Sequence, residues 1–288
     1  MIVSLAGCTP VDEFIRFEGL YRRFDLSEPW LARMIYRRPK VFLDAVDNVS
    51  FGIDRGKTYA LVGESGSGKS TIARMAVGLL APSRGQVLID GHNLHDRNLS
   101  EVEHRRIRQR LQMVFQSPFA SLNPRWRVGS ILAEPLRVFG LATDEANERS
   151  QVNELLDQVG LSPSDARRFP HEFSGGQRQR ISIARALASK PDFIVCDEPT
   201  SALDVSVQAQ VLNLLKQLQQ ELGLTYLFIT HDLAVVRVMA HRIGVLKSGQ
   251  LVEEQATSKL IESPQSDYTQ MLIRSAPRIR HEAEIGLR

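Results

Sequence analysis

Short apolar runs separated by polar turns recur along most of the chain, and their spacing predicts strands that alternate with helices. Strands are predicted over residues 11–20, 45–53, 58–62, 86–89, 111–115, 193–198, 224–229, 243–246 and 250–253. Helices are predicted over residues 128–139 and 145–159. Another helix is predicted after Asp204, with an apolar stripe at Val207, Val211, Leu215, Leu218 and Leu222. This alternation favours an α/β fold.

Three segments depart from that alternation. The pattern of residues 98–170 is mainly helical, which we interpret as a helical insertion in the α/β core. Residues 25–41 are charged and aromatic and contain two prolines, so we expect a loop or a short helix inserted between strands. The tail from residue 255 has a helical pattern and carries no apolar core of its own.

Residues 63–70 fit the phosphate-loop pattern G-x-x-x-x-G-K-[ST] and follow a predicted strand. A predicted helix comes next, with apolar residues at helical spacing at Ile72, Met75, Ala76 and Leu79. Glycines allow the backbone N–H groups of such a loop to turn toward a polyphosphate. Lys69 can reach the β- and γ-phosphates, and the Ser70 hydroxyl can bind Mg²⁺. We therefore predict a nucleoside triphosphate site, the P-loop, formed by Gly63, Glu64, Ser65, Gly66, Ser67, Gly68, Lys69, Ser70 and Thr71.

Two carboxylates follow the apolar run that ends at Cys196. Asp197 can hold Mg²⁺ directly or through water. Glu198, the next residue, can orient or deprotonate an attacking water molecule. An Asp-Glu pair after a strand is a weak signal by itself, but with a P-loop upstream it indicates a magnesium-dependent nucleotide hydrolase.

A second helix start with the chemistry of an anion site occurs at Ser174, Gly175, Gly176 and Gln177. Ser174 and Gln177 have the spacing of a capping box. The free N–H groups of a helix N-terminus, together with two glycines, suit a phosphate. The P-loop and this helix start are thus two phosphate cradles, that is, two segments that can bind phosphate. One nucleotide does not need both, so the second cradle predicts a dimer in which it closes on the γ-phosphate of the nucleotide bound to the partner subunit.

Charge and cysteine content narrow the function classes. There are 36 Lys and Arg against 33 Asp and Glu, and a net charge of +3 gives no argument for nucleic-acid binding. The basic run at residues 104–110 is interpreted as a solvated helix face. Cys8 and Cys196 support neither a disulfide framework nor a cysteine metal site. No apolar stretch approaches the roughly 18–20 residues that span a bilayer, so we expect a soluble chain that reaches a membrane through a partner.

These motifs together resemble the ATP-binding subunits of ABC transporters over almost the whole chain. In that family's order, the chain has the P-loop, a Gln-loop at residues 114–116, a signature at residues 173–177, the Walker B carboxylates, a D-loop at residues 201–204 and the switch histidine His231. Only Phe173 departs from the family's usual signature, which has leucine at this position. The resemblance implies a P-loop (RecA-like) ABC ATPase core with an antiparallel β subdomain and a helical subdomain insertion. It also implies an ATP-binding domain at residues 11–254, with the helical subdomain at about 98–178, and a C-terminal extension at 255–288.

The same resemblance implies a role for each motif residue. The P-loop would hold the phosphates of ATP, with Ser70, Gln116 and Asp197 facing Mg²⁺. Glu198 would be the catalytic carboxylate, and His231 would contact the γ-phosphate. The remaining motif residues would contact the ATP bound to the partner subunit; these are Ser174, Gly175, Gly176, Gln177 and the D-loop residue Asp204.

An aromatic residue near the first strand stacks on adenine in this family. Phe24 is our choice, because residues 17–24 match the family's first strand and residues 25–41 then follow as an insertion. Tyr21, Tyr36 and Phe42 remain alternatives, since an aromatic side chain at any of these positions could instead serve packing.

A resemblance to one subfamily is also visible. Residues 116–125 and 133–136 resemble the oligopeptide/dipeptide importer ATPases, and residues 263–272, followed by Ala276-Pro277, resemble that group's C-terminal motif. Asp267-Tyr268 stands where that group usually has His-Pro-Tyr. Some relatives carry a cysteine cluster in the tail, but this chain does not, so we assign no iron–sulfur centre. The resemblance implies the energy-coupling ATPase of a bacterial peptide importer, peripheral on the cytoplasmic face of the inner membrane. Its partners would be a second ATP-binding subunit, two integral-membrane permease subunits and, indirectly, an extracytoplasmic solute-binding protein.

Other functions compete with this one. An exporter, or an importer of nickel, opines or other small solutes, is hard to separate from a peptide importer because the ATPase does not touch the cargo. Soluble ABC ATPases that act on DNA or ribosomes carry long coiled coils or two fused cassettes, and neither is present here. A GTPase would need an Asn-Lys-x-Asp motif, which the sequence lacks. The sequence leaves open whether the ATPase pair is a homodimer or a heterodimer.

Overall fold

The computed structural model describes residues 13–27, 39–96 and 98–275, and two sheets organise them. The smaller sheet is antiparallel, with the strand order β2-β1-β4-β5. Its strands are β1 (Glu13–Asp25), β2 (Phe42–Asp54), β4 (Arg84–Ile89) and β5 (His92–Asn93).

The larger sheet has six strands in the order β10-β9-β3-β8-β7-β6, and only the edge strand β10 pairs antiparallel. Its strands are β3 (Thr58–Val62), β6 (Leu111–Val114), β7 (Phe193–Asp197), β8 (Thr225–Ile229), β9 (Arg242–Lys247) and β10 (Gln250–Ala256). Every residue of β3, β7 and β8 is buried, as expected for central strands of a parallel sheet that is covered on both faces. The carboxyl ends of these three strands therefore lie at one edge of the sheet, where ligands bind in open α/β folds.

Ten α-helices lie in the described part of the chain. They are α1 (Lys69–Ala76), α2 (Glu101–Arg110), α3 (Pro118–Ser121), α4 (Val128–Phe139), α5 (Glu145–Gln158), α6 (Gly175–Leu187), α7 (Val205–Leu222), α8 (Leu233–Met239), α9 (Thr257–Glu262) and α10 (Asp267–Ser275). Helices α4, α5 and α6 pack on one another and share an apolar core with α7. The strand β6 interrupts the helical stretch predicted from residue 98 and joins the larger sheet, in agreement with the strand predicted at 111–115.

Several element ends differ from the sequence prediction. The first strand continues through Phe24 to Asp25, because β1 stays paired with β2 across several register shifts. Helix α1 ends at Ala76, since Gly78 takes φ +73°, and Leu79 is consequently 62% exposed rather than part of the helix's apolar face. Leu222 is also exposed, because it is the last residue of α7 before the left-handed Gly223. Residues 28–38 of the predicted insertion lie outside the described residues.

The tail packs on the larger sheet, and its described part has no core of its own, as predicted. Leu260 and Tyr268 join a cluster of buried residues from β3, α8 and β9.

Cys196 is fully buried within β7, whereas Cys8 lies outside the described residues. Within the described ranges, no helix is both long and apolar enough to cross a membrane.

Candidate functional site

The P-loop connects the end of β3 to the start of α1, and two of its glycines are required by close backbone contacts. Gly63 has φ +153°, and a Cβ atom there would lie 2.1 Å from the carbonyl oxygen of Leu246. Gly68 has φ +106°, and its Cβ would lie 2.2 Å from the carbonyl oxygen of Ala45. Any larger side chain would push the loop away from β9 and β2, so these contacts fix the loop's path.

Lys69 points back into the P-loop. Its Nζ donates hydrogen bonds to the carbonyl oxygens of Gly63 at 2.8 Å and Glu64 at 2.7 Å, with Ser67 Oγ at 3.4 Å. Burial lowers the pKa of Lys69, while the carboxylates of Glu198, Asp197 and Glu64 act in the opposite direction. The loop therefore surrounds a buried positive charge whose hydrogen-bond partners are mostly neutral carbonyl groups.

Asp197 and Ser70 meet directly beneath the loop. The Ser70 hydroxyl donates to Asp197 Oδ1 at 3.3 Å, and Asp197 is buried, at 8% exposure. Burial raises the pKa of Asp197; the bond from Ser70 opposes this rise and the charge of Glu198 adds to it. A nearby cation would lower the pKa of this carboxylate, since an opposite charge favours the ionised form.

Glu198 is held in a position where it contacts two other predicted site residues. Its φ of +47° is unusual for a non-glycine residue, and its N–H donates to Ile229 at the end of β8. Gln116 Nε2 donates to Glu198 Oε2 at 2.9 Å, and His231 Nδ1 lies 3.1 Å from Glu198 Oε1. Residues that follow β6, β7 and β8 thus converge at one edge of the sheet.

A cavity of about 900 Å³ opens over the P-loop. Its size is within the range of small-molecule and cofactor sites. Gly63, Glu64 and Ser67 of the P-loop do not line it, and neither does Asp197, which accepts a hydrogen bond from Ser70. Its walls are formed by Phe24, Leu43, Asp44, Ala45, Ser65, Gly66, Gly68, Lys69, Ser70, Thr71, Gln116, Glu198, His231 and Ser248.

The lining of the cavity distinguishes the aromatic residues that are candidates for stacking on adenine. Phe24 lines it, with the Arg22 guanidinium 4.9 Å from the ring centroid. Tyr21 does not line it, and its hydroxyl donates to Asp44 at 2.5 Å. Phe42 is also absent from the lining, and Tyr36 lies outside the described residues.

The signature segment, residues 173–177, is formed as predicted but lies apart from this cavity. Ser174 accepts a hydrogen bond from the Gln177 N–H, and the Gln177 side chain accepts one from the Ser174 N–H. Gly176 lies against α7, since a Cβ would come 2.3 Å from Val207 Cγ1. None of the signature residues, nor Asp204 at the start of α7, lines the P-loop cavity.

The donor set suits a hard cation that also binds phosphate. Within the described ranges, no group of three or more His, Cys, Asp or Glu side chains could hold a metal by itself. The hydroxyl of Ser70 and the carboxylate of Asp197 supply two oxygen ligands side by side. Mg²⁺ is commonly bound by one or two protein oxygens together with phosphate oxygens and water, so these residues fit it.

Sequence reasoning missed two features of the site. Leu43, Asp44 and Ala45 line the cavity from a neighbouring strand, and no local motif marks them. Ser248, with φ +48°, lines it from the β9–β10 turn, where the Ser-Gly pair was the available signal.

Comparison with known proteins agrees with the fold and with the family resemblance. A family model described as ABC transporter matches residues 46–201. The oligopeptide transport ATP-binding protein OppF of Bacillus subtilis (strain 168) is 51% identical over 239 residues, covering 83% of this chain and 78% of that protein. AppF, an oligopeptide transport ATP-binding protein of the same organism, is 50% identical over 253 residues, covering 87% of this chain and 76% of that protein. The ATP-binding cassette MJ0796, solved as a dimer in a post-hydrolysis state with ADP and Pi, gives a TM-score of 0.71 at 30% identity, covering 84% of this chain and 98% of that one. This chain belongs to the ABC transporter family.

Proposed function

We propose that this chain is the ATP-hydrolysing, energy-coupling subunit of a bacterial ABC importer for peptides. The observation that carries the proposal is the convergence of Gln116, Glu198 and His231 beside the P-loop cavity. The names of OppF and AppF, both oligopeptide transport ATP-binding proteins, support peptides as the cargo.

The geometry supports a division of labour among the site residues. The N–H groups of residues 65–71 and the Lys69 ammonium bind the β- and γ-phosphates. Ser70 and Asp197 hold Mg²⁺, with Gln116 facing it, and the bound ion neutralises charge on the phosphate oxygens. Glu198 accepts a proton from the attacking water, and His231 contacts the γ-phosphate.

The signature segment acts on a second ATP-binding subunit in this proposal. Its exposed N-terminus at Ser174 is a site for an anion, yet it lies outside the chain's own P-loop cavity. Ser174, Gly175, Gly176 and Gln177, with Asp204 nearby, therefore contact ATP bound to the partner subunit. The pairing of MJ0796 as a dimer supports this arrangement. The ATP-binding domain spans residues 11–254, with a helical subdomain at about 98–178, and residues 255–288 form an extension.

A second cavity offers a surface for the membrane partners. A groove of about 570 Å³ lies between the end of α1, β6 and the helices α4 and α6. Its walls include the exposed apolar side chains Leu79, Phe115 and Val138. Phe115 immediately precedes Gln116, so the groove adjoins the catalytic residues. We infer that two integral-membrane permease subunits dock in this groove of the paired ATPases, which places the chain peripherally on the cytoplasmic face of the plasma membrane.

Leu79→Asp tests this function because it places a charge in the groove. In cells, the variant should lose copurification of two integral-membrane proteins from detergent-solubilised membranes and should lose peptide uptake. The purified subunit should keep its ATP affinity, since Leu79 does not line the P-loop cavity. Val102→Asp is the matched control, as Val102 is 60% exposed, against 62% for Leu79, and does not line the groove.

Three results would count against the proposal. If both membrane proteins still copurify with Leu79→Asp, the groove is not their docking site. If the wild-type protein supports uptake of nickel, an opine or another small solute but not of peptides, the cargo is wrong. Copurification of ribosomes or DNA without membrane proteins would favour the soluble ABC ATPase class.

Phe24→Ala should weaken binding of both ATP and GTP about 5- to 150-fold, because stacking on a base contributes about 1–3 kcal/mol. A phenylalanine ring has no hydrogen-bonding group, so it should discriminate poorly between the purines. Fluorescence titration with both nucleotides measures the effect. Phe42→Ala is the control, because Phe42 is an exposed aromatic residue outside the cavity lining. A lower melting temperature of nucleotide-free Phe24→Ala with unchanged affinity would instead show that the ring serves packing.

A further inference from the structure

The C-terminal segment reaches the P-loop through Tyr268. This residue lies in the first turn of α10 and is only 7% exposed. Its ring packs in the apolar cluster that includes Ala60 and Val62 of β3, the strand that leads into the P-loop. Lys247 Nζ lies 4.7 Å from the ring centroid. The ring is therefore held by neighbouring elements, and its hydroxyl has a defined position.

That hydroxyl contacts a residue of the P-loop. The Glu64 N–H donates to Tyr268 Oη at 3.3 Å. Burial and the charge of the Glu64 carboxylate raise the Tyr268 pKa, while the bond from the Glu64 N–H acts in the opposite direction. An exposed loop residue is thus attached to a buried side chain 204 positions later in the sequence.

The same loop residue is also attached to the phosphate-binding end of the loop. The Glu64 carbonyl oxygen accepts hydrogen bonds from Lys69 Nζ at 2.7 Å and from the Ser67 N–H at 3.2 Å. Tyr268 therefore fixes one side of Glu64, while Lys69 and Ser67 depend on the other side. A shift of Glu64 would move the partner that orients the Lys69 ammonium.

Helix α10 is itself anchored at its start. The Glu253 carboxylate, on strand β10, accepts hydrogen bonds from the N–H groups of Gln265 and Ser266, both at 2.9 Å. Burial alone would raise the pKa of Glu253, but these bonds hold it below its ordinary value. Tyr268 follows two residues after Ser266, so the sheet, the helix start and the hydroxyl form one continuous support.

We propose that Tyr268 is a positioning residue for the P-loop, through which the C-terminal segment sets the affinity for the phosphates of ATP. The hydroxyl holds Glu64 so that its carbonyl group keeps Lys69 in place for the β- and γ-phosphates. This inference rests on the proposed role of residues 63–71 in binding ATP. It assigns a function to the C-terminal segment within the nucleotide site.

Tyr268→Phe tests the proposal, because it removes the hydroxyl and keeps the ring. The Kd and KM for ATP should rise about 2- to 13-fold, as expected for the loss of one hydrogen bond. The kcat should stay within about two-fold, since Glu198, Gln116 and His231 do not contact Tyr268. The affinity for AMP, measured by competition, should not change, because AMP lacks the β- and γ-phosphates that Lys69 binds.

Tyr226→Phe is the matched control. Its hydroxyl is fully buried and donates to the Leu215 carbonyl oxygen at 3.0 Å, so the variant also loses one hydroxyl hydrogen bond. Both variants should lower the melting temperature of the nucleotide-free protein, but only Tyr268→Phe should raise the Kd for ATP. Equal affinity losses in both variants would reduce Tyr268 to a general stabilising residue and overturn the proposal.

Two further outcomes separate this inference from the proposed function. If wild type and Tyr268→Phe bind ATP equally well, and Lys69→Ala binds it poorly, the positioning role is wrong and the P-loop role stands. If Lys69→Ala binds ATP as tightly as wild type, the assignment of the P-loop fails, and the role of Tyr268 fails with it.

Discussion

Replacing Glu198 with glutamine should leave ATP binding nearly intact while slowing hydrolysis about 10²–10⁴-fold, the usual effect of removing a general base. An amide keeps the shape of the carboxylate and can still meet Gln116 and His231, so the site should stay assembled. It cannot accept the proton of the attacking water. ATP should therefore hold the paired subunits closed, and a dimer should accumulate.

Phosphate release measures the rate in that experiment, and size-exclusion chromatography with ATP measures the dimer. Glu148→Gln is the control, because that carboxylate pairs with Arg137 on the surface, outside the cavity lining. Near wild-type turnover of Glu198→Gln in the purified transporter would reject Glu198 as the catalytic carboxylate. Loss of ATP binding would show instead that the substitution disrupts the site.

Lys69→Ala and Gly176→Asp should separate the two phosphate cradles. Lys69→Ala should weaken ATP binding to the isolated subunit about 10- to 150-fold, the range expected for a lost hydrogen bond to a charged group. Gly176→Asp should leave that binding largely intact and block hydrolysis in the assembled pair. The distinction follows because Lys69 lines the chain's own cavity and Gly176 does not.

The glycine variant needs a companion, since any Cβ at Gly176 would press on Val207. Gly175→Asp adds the same charge, and its Cβ would lie 3.4 Å from Leu203, which is an ordinary contact. Both variants should bind ATP and fail to hydrolyse it. Lys216→Ala, on the exposed face of α7, is the control for Lys69→Ala. If the lysine and glycine variants lost ATP binding equally, the proposed second cradle on the partner subunit would be wrong.

The parts of this molecule that depend on local sequence were predictable. The P-loop, the capping box at Ser174 and the buried strand that ends at Asp197 each lie within a few consecutive residues. Hydrogen-bonding groups, glycine conformation and apolar runs are local properties, so they can be identified without tertiary contacts. The convergence of Gln116, Glu198 and His231 was predictable for a related reason, because each follows a strand of one parallel sheet.

The remaining features depend on contacts between distant residues. Register shifts in β1 between Leu20 and Arg23 decide which aromatic side chain faces the cavity, and simple alternation cannot locate such irregularities. The end of α1 before Leu79 depends on the conformation of Gly78. The contact between Tyr268 and Glu64 joins two segments whose separate patterns contain no sign of each other.

The two hydrogen bonds on Glu198 have a consequence for the rate of ATP hydrolysis. One carboxylate oxygen is bonded to Gln116 and the other contacts His231. A water molecule that approached this carboxylate would have to compete with one of those side chains. Losing a hydrogen bond to a charged group costs about 1.5–3 kcal/mol, which corresponds to a factor of roughly 10–150 and is the upper bound for such an exchange. As the proposed general base, Glu198 must be released by Gln116 or His231 before it can accept a proton from water, so this arrangement limits ATP hydrolysis until one of the two side chains has moved.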